Sequence, residues 1–414
     1  LDFDMEIFDG VIRDNFGTKK GAAIVDANIK AAKAGYDYIK KNFHETFGFK
    51  LEKRPRKNNI FLSGNEAISA GIIKAGCKFY AAYPMTPASS ILSNIAGQER
   101  NFNIVVKHTE DEIAAVNNAI GAAYAGVRAA TGTSGGGFAL MSEGFGLAIQ
   151  AEVPLVVVEA MRPGPGTGMA THTGQGDLRF MLHASTDDGP RIIIAPGDID
   201  ECFYMTIEAF NLAEKYQMPV IVLTDKFLGE SYGTTMEFDT KNVKIERGKL
   251  LTQSEMDKIH DYKRYRLTDD AISPRAIPSL RGGVHTASSY EHDEEGFERE
   301  EEEIRIAMHN KRFKKFEGVS KEIEQPKLFG AHDADVTIIS WGSTKGPVRD
   351  AMKLLQHDGI KTNHLQITFI SPLPEKKIAD VIKSSKNVIL VEGNKTGQLG
   401  GLIKEYTGLD INYR

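Results

Sequence analysis

Four short stretches carry residue types whose spacing could do chemistry. Tyr83-Pro84-Met85-Thr86-Pro87-Ala88-Ser89-Ser90 places two prolines around a hydroxyl. Each proline fixes φ, so the Thr86 hydroxyl is held in a definite position, and Ser89 or Ser90 can cap a following helix. Taken alone, the stretch reads as well as a capped turn between a strand and a helix. Glu110, Asp111 and Glu112 offer a carboxyl for proton transfer, yet three such acids also make an ordinary acidic first helical turn. In Gly132-Thr133-Ser134-Gly135-Gly136-Gly137 the backbone N–H groups of a strand-to-helix junction could receive an anion. The stretch fits neither GxxxxGK[ST] nor GxGxxG, which argues against a nucleotide loop. Arg162-Pro163-Gly164-Pro165-Gly166-Thr167-Gly168-Met169-Ala170-Thr171 puts an arginine at a strand end before a Gly/Pro loop. That suits two-pronged capture of a carboxylate, the plainer alternative being a solvated strand-end arginine.

Around these stretches, β-branched runs alternate with helical ones. FYAAYP, NIVVKH, RAATGT, PLVVVEAM, RIIIAPG and PVIVLTD predict strands; SSILSNIAGQE, DEIAAVNNAIGAAYAG and FALMSEGFGLAIQAE predict helices; FLSGNEAISAGIIKAG reads as strand, turn and helix. The alternation predicts an α/β fold on a parallel sheet covered on both faces. Residues 18–42 carry apolar residues at helical spacing, and LEKRPRKNN (51–59) reads as a linker, which divides 1–57 from a main domain over 58–235. A polar connecting region over 236–330 ends in the charged helix EREEEEIRIAMHNKRFKKF, and the acidic run Glu294–Glu303 reads as its solvated start. A smaller α/β domain over 331–414 follows, with strands in DVTIISWGS, KTNHLQITFISPLP and NVILVEGN and helices over 346–358 and 375–384.

A chain of 414 residues exceeds one core. With 41% hydrophobic and 26% charged residues it has an ordinary globular composition, and no apolar run approaches the ~20 residues of a membrane helix. The first residues lack a basic flank and an apolar stretch, so the cytoplasm is the expected compartment. They also lack a starting Met and look like the tail of something larger, an expectation of truncation or of a processed fusion. A net charge of -5 gives no general attraction for nucleic acid. Two cysteines, Cys77 and Cys202, are too few for a four-thiolate iron–sulfur cluster, so no metal is expected on this chain.

YPMTPASS resembles the YPITPSS signature of the pyruvate and 2-oxoacid:ferredoxin oxidoreductases. SGNEAISAGIIKAG before it and HTEDEIAAVNNAIGAAYAGVRAATGTSGGGFALMSEGFGLA after it resemble the same family in the same order. The resemblance runs from about Asn58 to the end, and KGAAIVDANIKAAKAGY resembles the end of the γ domain that precedes this subunit in fused forms. It implies an alpha subunit with a parallel-sheet thiamine-diphosphate pyrimidine-binding domain over 58–235 and a transketolase C-terminal-like α/β domain over 331–414. Glu112 then takes the place of the carboxylate that bonds the aminopyrimidine, with Glu110 next, and Tyr83, Pro84, Gly135 and Gly136 stand beside the cofactor. RPGPGTGMAT resembles the family's RGGPSTGLPT, which gives Arg162 the 2-oxoacid carboxylate, with Thr86 and Thr171 nearby. Its departures, Pro163, Gly166 and Ala170, bear on loop shape and hence on substrate preference.

Gly393-Asn394-Lys395-Thr396-Gly397-Gln398-Leu399-Gly400-Gly401 resembles the family's E-x-N-x-x-G-Q-L loop and implies an interface-shaping segment. His292 and Asp293 in YEHDEEG resemble a segment close to the active site, surface exposure being the plainer reading. A GDG-plus-Asn motif is missing, which implies that diphosphate, Mg²⁺ and a [4Fe–4S] cluster belong to a partner beta subunit. The implied reaction is coenzyme A-dependent oxidative decarboxylation of a 2-oxoacid, 2-oxoglutarate or a broad range, to acyl-CoA and CO₂ with electrons to ferredoxin. Activity would need the beta subunit, in a dimer of αβ units. From a different class, a non-catalytic metabolite- or nucleotide-binding regulatory subunit is the alternative.

Overall fold

A computed structural model describes residues 4–43, 58–411 and 413. The expected linker over 51–59 falls mostly outside the described residues. The chain separates into two units, residues 1–58 and 59–414. In the first, helices Met5–Lys20 and Ala22–Asn42 pack together, parted by Gly21 at φ 83°.

The strands of the second unit are β1 (Asn59–Ser63), β2 (Phe79–Ala82), β3 (Val105–His108), β4 (Ala129–Thr133), β5 (Leu155–Met161), β6 (Ile192–Ile194), β7 (Pro219–Asp225), β8 (Tyr232–Met236), β9 (Lys327–Gly330), β10 (Val336–Trp341), β11 (Thr362–Ile367), β12 (Phe369–Ser371) and β13 (Val388–Val391). The main sheet has the order β12-β6-β7-β5-β4-β2-β3 and is parallel except for β12, which pairs antiparallel with β6. Every residue of β5 and β7 is buried, as expected of β-branched strands covered on both faces. Leu155 and Val157 face one apolar core with Phe138 and Phe145; Val156 and Val158 face the other with Tyr80 and Phe203. The period of two puts Glu159 on the first of these faces.

Two local expectations change. β1 leaves the parallel sheet and pairs antiparallel with β8 in a sheet of its own, because its alternating exposure leaves it no second face to bury. Ser89 and Ser90 do not cap; the helix Ser89–Ala96 starts behind Ala88, and Ser90 Oγ instead accepts from Asn65 Nδ2 at 2.9 Å. The glycine stretch is the strand-to-helix junction expected of it: Gly132 and Thr133 end β4, and Gly135 opens the helix Gly135–Gln150.

Two strands pair across the expected boundary at 330/331. β9, before residue 331, is the antiparallel edge of the second sheet, order β13-β10-β11-β9, while β12, well after it, closes the edge of the main sheet. One apolar core runs from Phe138 and Met141 through Trp341, Leu365 and Ile378 to Leu399. The charged helix begins at Glu302, so Glu294–Glu301 lie ahead of it rather than forming its start. Its basic face is not solvated either: Lys311, Arg312 and Lys315 are buried.

Candidate active site

Parallel pairing puts the carboxyl ends of β2, β3, β4, β5 and β7 along one edge, where open α/β sheets bind ligands. β2 lies between β3 and β4, so the chain reverses its direction of winding there and leaves a crevice. Each candidate stretch leaves this edge. Asn65, fully buried, anchors the one after β2 by donating to Pro87 O at 2.9 Å. Tyr83 and Pro84 are exposed, with the Tyr83 ring tilted against His108.

The three acids after β3 separate by role. Glu110 is exposed; Asp111 caps the helix Glu112–Tyr124 by accepting from Ala114 N at 2.7 Å; Glu112 is 3% exposed. Its Oε1 finds no hydrogen-bond partner among the described residues. Burial, and secondarily Asp111, pushes the Glu112 carboxyl above the usual range. The carboxyl packs where a glycine leaves room: a Cβ on Gly137 would lie 2.5 Å from Glu112 Oε1 and collide with Thr133 Oγ1.

On the other side of the same helix start lies a cavity of about 300 Å³, lined by Ser134, Gly135, Gly136, Arg162, Gly166 and Asp177, among others. The helix Gly135–Gln150 has no side-chain cap and no acid in its first turn, so its N–H groups and dipole are free for an anion. Arg162 is 8% exposed and donates from Nη1 to Thr86 O at 2.7 Å, tying the two loops together. It is therefore not the solvated strand-end arginine of the plainer reading. Thr171 is exposed and does not line the cavity; its Oγ1 contacts His172 Nδ1 at 3.4 Å. The structure thus brings Glu112, Gly135, Gly136, Arg162 and the Thr86 backbone together and leaves Thr171 apart.

The loop at 393–401 acts inside the chain. Gln175, 1% exposed, accepts from Gly393 N at 2.7 Å and donates to Trp341 O at 3.1 Å, while Gln398 accepts from Arg179 N at 2.9 Å. The second sheet thereby holds the segment that carries Asp177. His292 is fully buried, not surface-exposed: its ring lies tilted against Tyr265, centroids 3.9 Å apart, and its Nε2 lies 3.3 Å from Gln150 O. Gln150 ends the helix whose start lines the cavity, about 22 Å away at ~1.5 Å per residue. Asp293 closes a turn and pairs with Arg299. Both cysteines are buried and free, with thiols raised by burial, Cys77 to about 12.

The family profile "Pyruvate flavodoxin/ferredoxin oxidoreductase, thiamine diP-bdg" matches residues 70–311, and "Pyruvate:ferredoxin oxidoreductase core domain II" matches 334–409. The chain belongs to this family. It is 42% identical over 371 residues to a 2-oxoacid:ferredoxin oxidoreductase subunit alpha of Saccharolobus solfataricus, with 86% of this chain and 58% of that protein covered. To a 2-oxoglutarate synthase subunit of Methanothermobacter marburgensis it is 32% identical, covering 81% of this chain and 88% of that one. The solved 2-oxoglutarate:ferredoxin oxidoreductase of Magnetococcus marinus, described with 2-oxoglutarate, coenzyme A and succinyl-CoA bound, superposes with a TM-score of 0.92 at 35% identity, covering all of this chain and 72% of that one. The chain spans about three fifths of the length of several curated relatives, 58% to 62%.

Two carboxyls at this edge escaped the sequence reading. Glu159, at the end of β5, is fully buried; Asp177 lines the cavity. Glu159 did leave a signal, a lone acid inside the apolar run PLVVVEAM. Asp177 left none, since an Asp ahead of a helix is an ordinary cap.

Proposed function

We propose that this chain supplies the pyrimidine side and the substrate-carboxylate clamp of a 2-oxoacid:ferredoxin oxidoreductase that works with a beta subunit. The observation that carries the reading is the pair of features flanking one helix start: a buried carboxyl with an unpartnered oxygen, Glu112, and an arginine-lined cavity at an uncapped N-terminus. Among the chain's residues these fit thiamine diphosphate. The orphaned Glu112 Oε1 suits a ring nitrogen, and Gly137 keeps open the space a Cβ would fill.

Glu112 would hold the aminopyrimidine, with Tyr83, Pro84, Gly135 and Gly136 around it. When bound, thiamine diphosphate supplies a carbon nucleophile and electron sink for loss of CO₂. Glu112, raised by burial, holds a proton at Oε1 at neutral pH more readily than a solvated carboxyl, which is what a hydrogen bond to a ring nitrogen needs. Arg162 binds the carboxylate of the 2-oxoacid, and its bond to Thr86 O fixes the guanidinium plane. Gly135 and Gly136 N–H groups add partial positive charge to the same cavity. Thr86 and, from outside the cavity, Thr171 complete the substrate side.

The substrate is 2-oxoglutarate or a broader range, coenzyme A takes the acyl group, CO₂ leaves, and the electron pair passes to ferredoxin. A beta subunit carries diphosphate, Mg²⁺ and a [4Fe–4S] cluster; the naming of the relatives as alpha subunits supports such a partner. We place the assembly, a dimer of αβ units, in the cytoplasm, whose reducing conditions suit free thiols. By residue ranges, 1–57 is the tail of a γ-like domain, 58–235 the pyrimidine-binding domain, 236–330 the connection and 331–414 the second domain. Co-expression with a beta-type partner bearing a GDG motif tests the reading. Coenzyme A-dependent dye reduction with at least one of pyruvate, 2-oxoglutarate, branched or aromatic oxoacids is expected; none with any of them rejects it.

A further inference from the structure

The cavity side of the sheet edge holds more acid than the proposed clamp requires. Glu159 shares a sheet face with Leu155 and Val157, and Asp225 shares that face at the end of the neighbouring β7. Glu159 is fully buried, and among the described residues neither of its oxygens receives an N–H or O–H donor. The charged groups facing it are Asp177 and Asp225; the one facing Asp177 besides Glu159 is Arg162. Asp225 is engaged as a helix cap, accepting from Leu228 N at 3.1 Å. Asp177 is not: it precedes the helix Leu178–His183 without capping it, and its carboxyl turns into the cavity so closely that a Cβ on Gly135 would lie 2.8 Å from Asp177 Cγ. The helices packed on this face contribute Phe138, Met141, Leu178 and Met181, all apolar.

Glu159 faces two other acids, Asp177 and Asp225, while the one guanidinium, Arg162, stands beside Asp177 alone, so the facing carboxyls are not all readily ionised. Burial, reinforced by Asp177 and Asp225, drives the Glu159 carboxyl far up; burial raises Asp177 as well, opposed by Glu159 and Arg162. Of the facing pair, Glu159 is the member that more readily keeps a proton, and an O–H on it would point toward Asp177. Asp177 faces Arg162 across the space an anionic ligand would enter.

We propose that Asp177 is the resident counter-ion of Arg162, and that Asp177 and Glu159 together take up one proton when a substrate carboxylate replaces Asp177 on the guanidinium. Before binding, the site holds Arg162 cationic, Asp177 anionic and Glu159 neutral. After binding, the substrate anion pairs with Arg162, and Asp177, protonated from solvent, remains hydrogen-bonded to Glu159. One negative charge enters with one proton, so the buried site keeps its net charge. Asp177 and Glu159 are positioning residues here, acting through Arg162, and the inference rests on the clamp assigned to Arg162 above.

The test is the pH profile of kcat/KM for the oxoacid in the co-expressed αβ complex. For the wild type it should fall as pH rises, approaching tenfold per pH unit once the free pair no longer supplies the proton. Asp177→Asn, permanently neutral, should abolish that limb and equal or exceed the wild type at alkaline pH. Glu159→Gln still donates to Asp177 but stabilises its anion, so the limb should move to lower pH and the oxoacid KM at neutral pH should rise several-fold. A wild-type profile without the falling limb overturns the proposal, whether or not the variants fold. So does a limb that both variants leave in place while lowering activity uniformly, the mark of a purely structural role. Arg162→Ala separates the two levels: unchanged oxoacid kinetics remove the clamp itself, whereas a large loss there with unaltered limbs in the other variants removes only the proton coupling.

Discussion

Glu152, in the turn ahead of β5, and Glu159, near the far end of that strand, are both fully buried, in opposite electrostatic company. Glu152 meets Lys311 and Lys315, each 2.5 Å from one of its oxygens, and Arg264 donates to its backbone carbonyl at 2.8 Å. Burial works against its charge, yet Lys311, Lys315 and Arg264 hold its carboxyl well below the usual range. Glu159 meets only other acids and is pushed up. The end of the strand that joins the connecting helix to the core gives its carboxylate cationic partners. The end that opens on the crevice has an excess of carboxyl, and the unpartnered Glu112 belongs with it. Buried charge that the chain itself neutralises holds a fold together. Buried charge left over marks a place where something from outside, a ligand or a proton, completes the balance.

If that contrast holds, changes at the crevice end alter turnover and changes at the far end alter stability. The largest effect is expected for Glu112→Gln in the reconstituted complex: a loss of about 10²–10⁴ in turnover with the unfolding midpoint scarcely moved. Near-normal turnover would take the proton-handling role away from Glu112. Glu152→Gln should do the reverse, leaving two buried ammonium groups without their anion and lowering stability by about 3–5 kcal/mol in urea unfolding. A loss below about 1 kcal/mol would show that the lysines find other partners.

Arg162→Ala should reduce kcat/KM for the oxoacid by about 30-fold or more, in line with the ~2–5 kcal/mol cost of removing one side of a buried charge pair. Coenzyme A kinetics should be unaltered, and Arg162→Lys should restore only part of the loss, since an ammonium keeps the charge but not the planar fork. Identical oxoacid kinetics in the Ala variant would exclude the clamp.

The smallest effect, and the sharpest form of the comparison, is the pH dependence of stability. Glu152 has a depressed folded-state pKa, so its contribution is present above the unfolded value, ~4.3, and is lost as pH falls through the folded one. Glu159 has a raised folded-state pKa, so its contribution is complete below ~4.3 and is lost as pH rises through the folded value. The deficit of Glu152→Gln relative to wild type should therefore shrink toward acid. Glu159→Gln should differ from wild type by no more than about 1 kcal/mol near neutrality, its standing improving toward alkaline pH. Parallel slopes in the two variants would dissolve the distinction between the ends of β5.

How much of this could be read in advance varies with the residue. The strand runs FYAAYP, PLVVVEAM and PVIVLTD lie where the alternation places them, as β2, β5 and β7. The stretches around Thr86, Gly135 and Arg162 do leave strand ends. Tyr83 and Thr171, by contrast, are exposed in the chain alone, and the sequence pattern had no means of separating them from Arg162.

By itself the sequence determined whatever depends on near neighbours along the chain: the α/β alternation, the places where strands end, and the scarcity of thiols. Apolar period and capping act over a few residues, so they are written locally. The tertiary structure alone decided which of Glu110, Asp111 and Glu112 is buried and that β12 crosses to the main sheet while β9 joins the second one. It also decided that Lys311 and Lys315 belong to Glu152, and that Glu159 and Asp177 confront each other beside Arg162. In each of these the energy of a charge or a strand edge is set by what long-range folding brings against it. Desolvation and ion pairing fall off within a few ångströms, and the partners lie far apart along the chain.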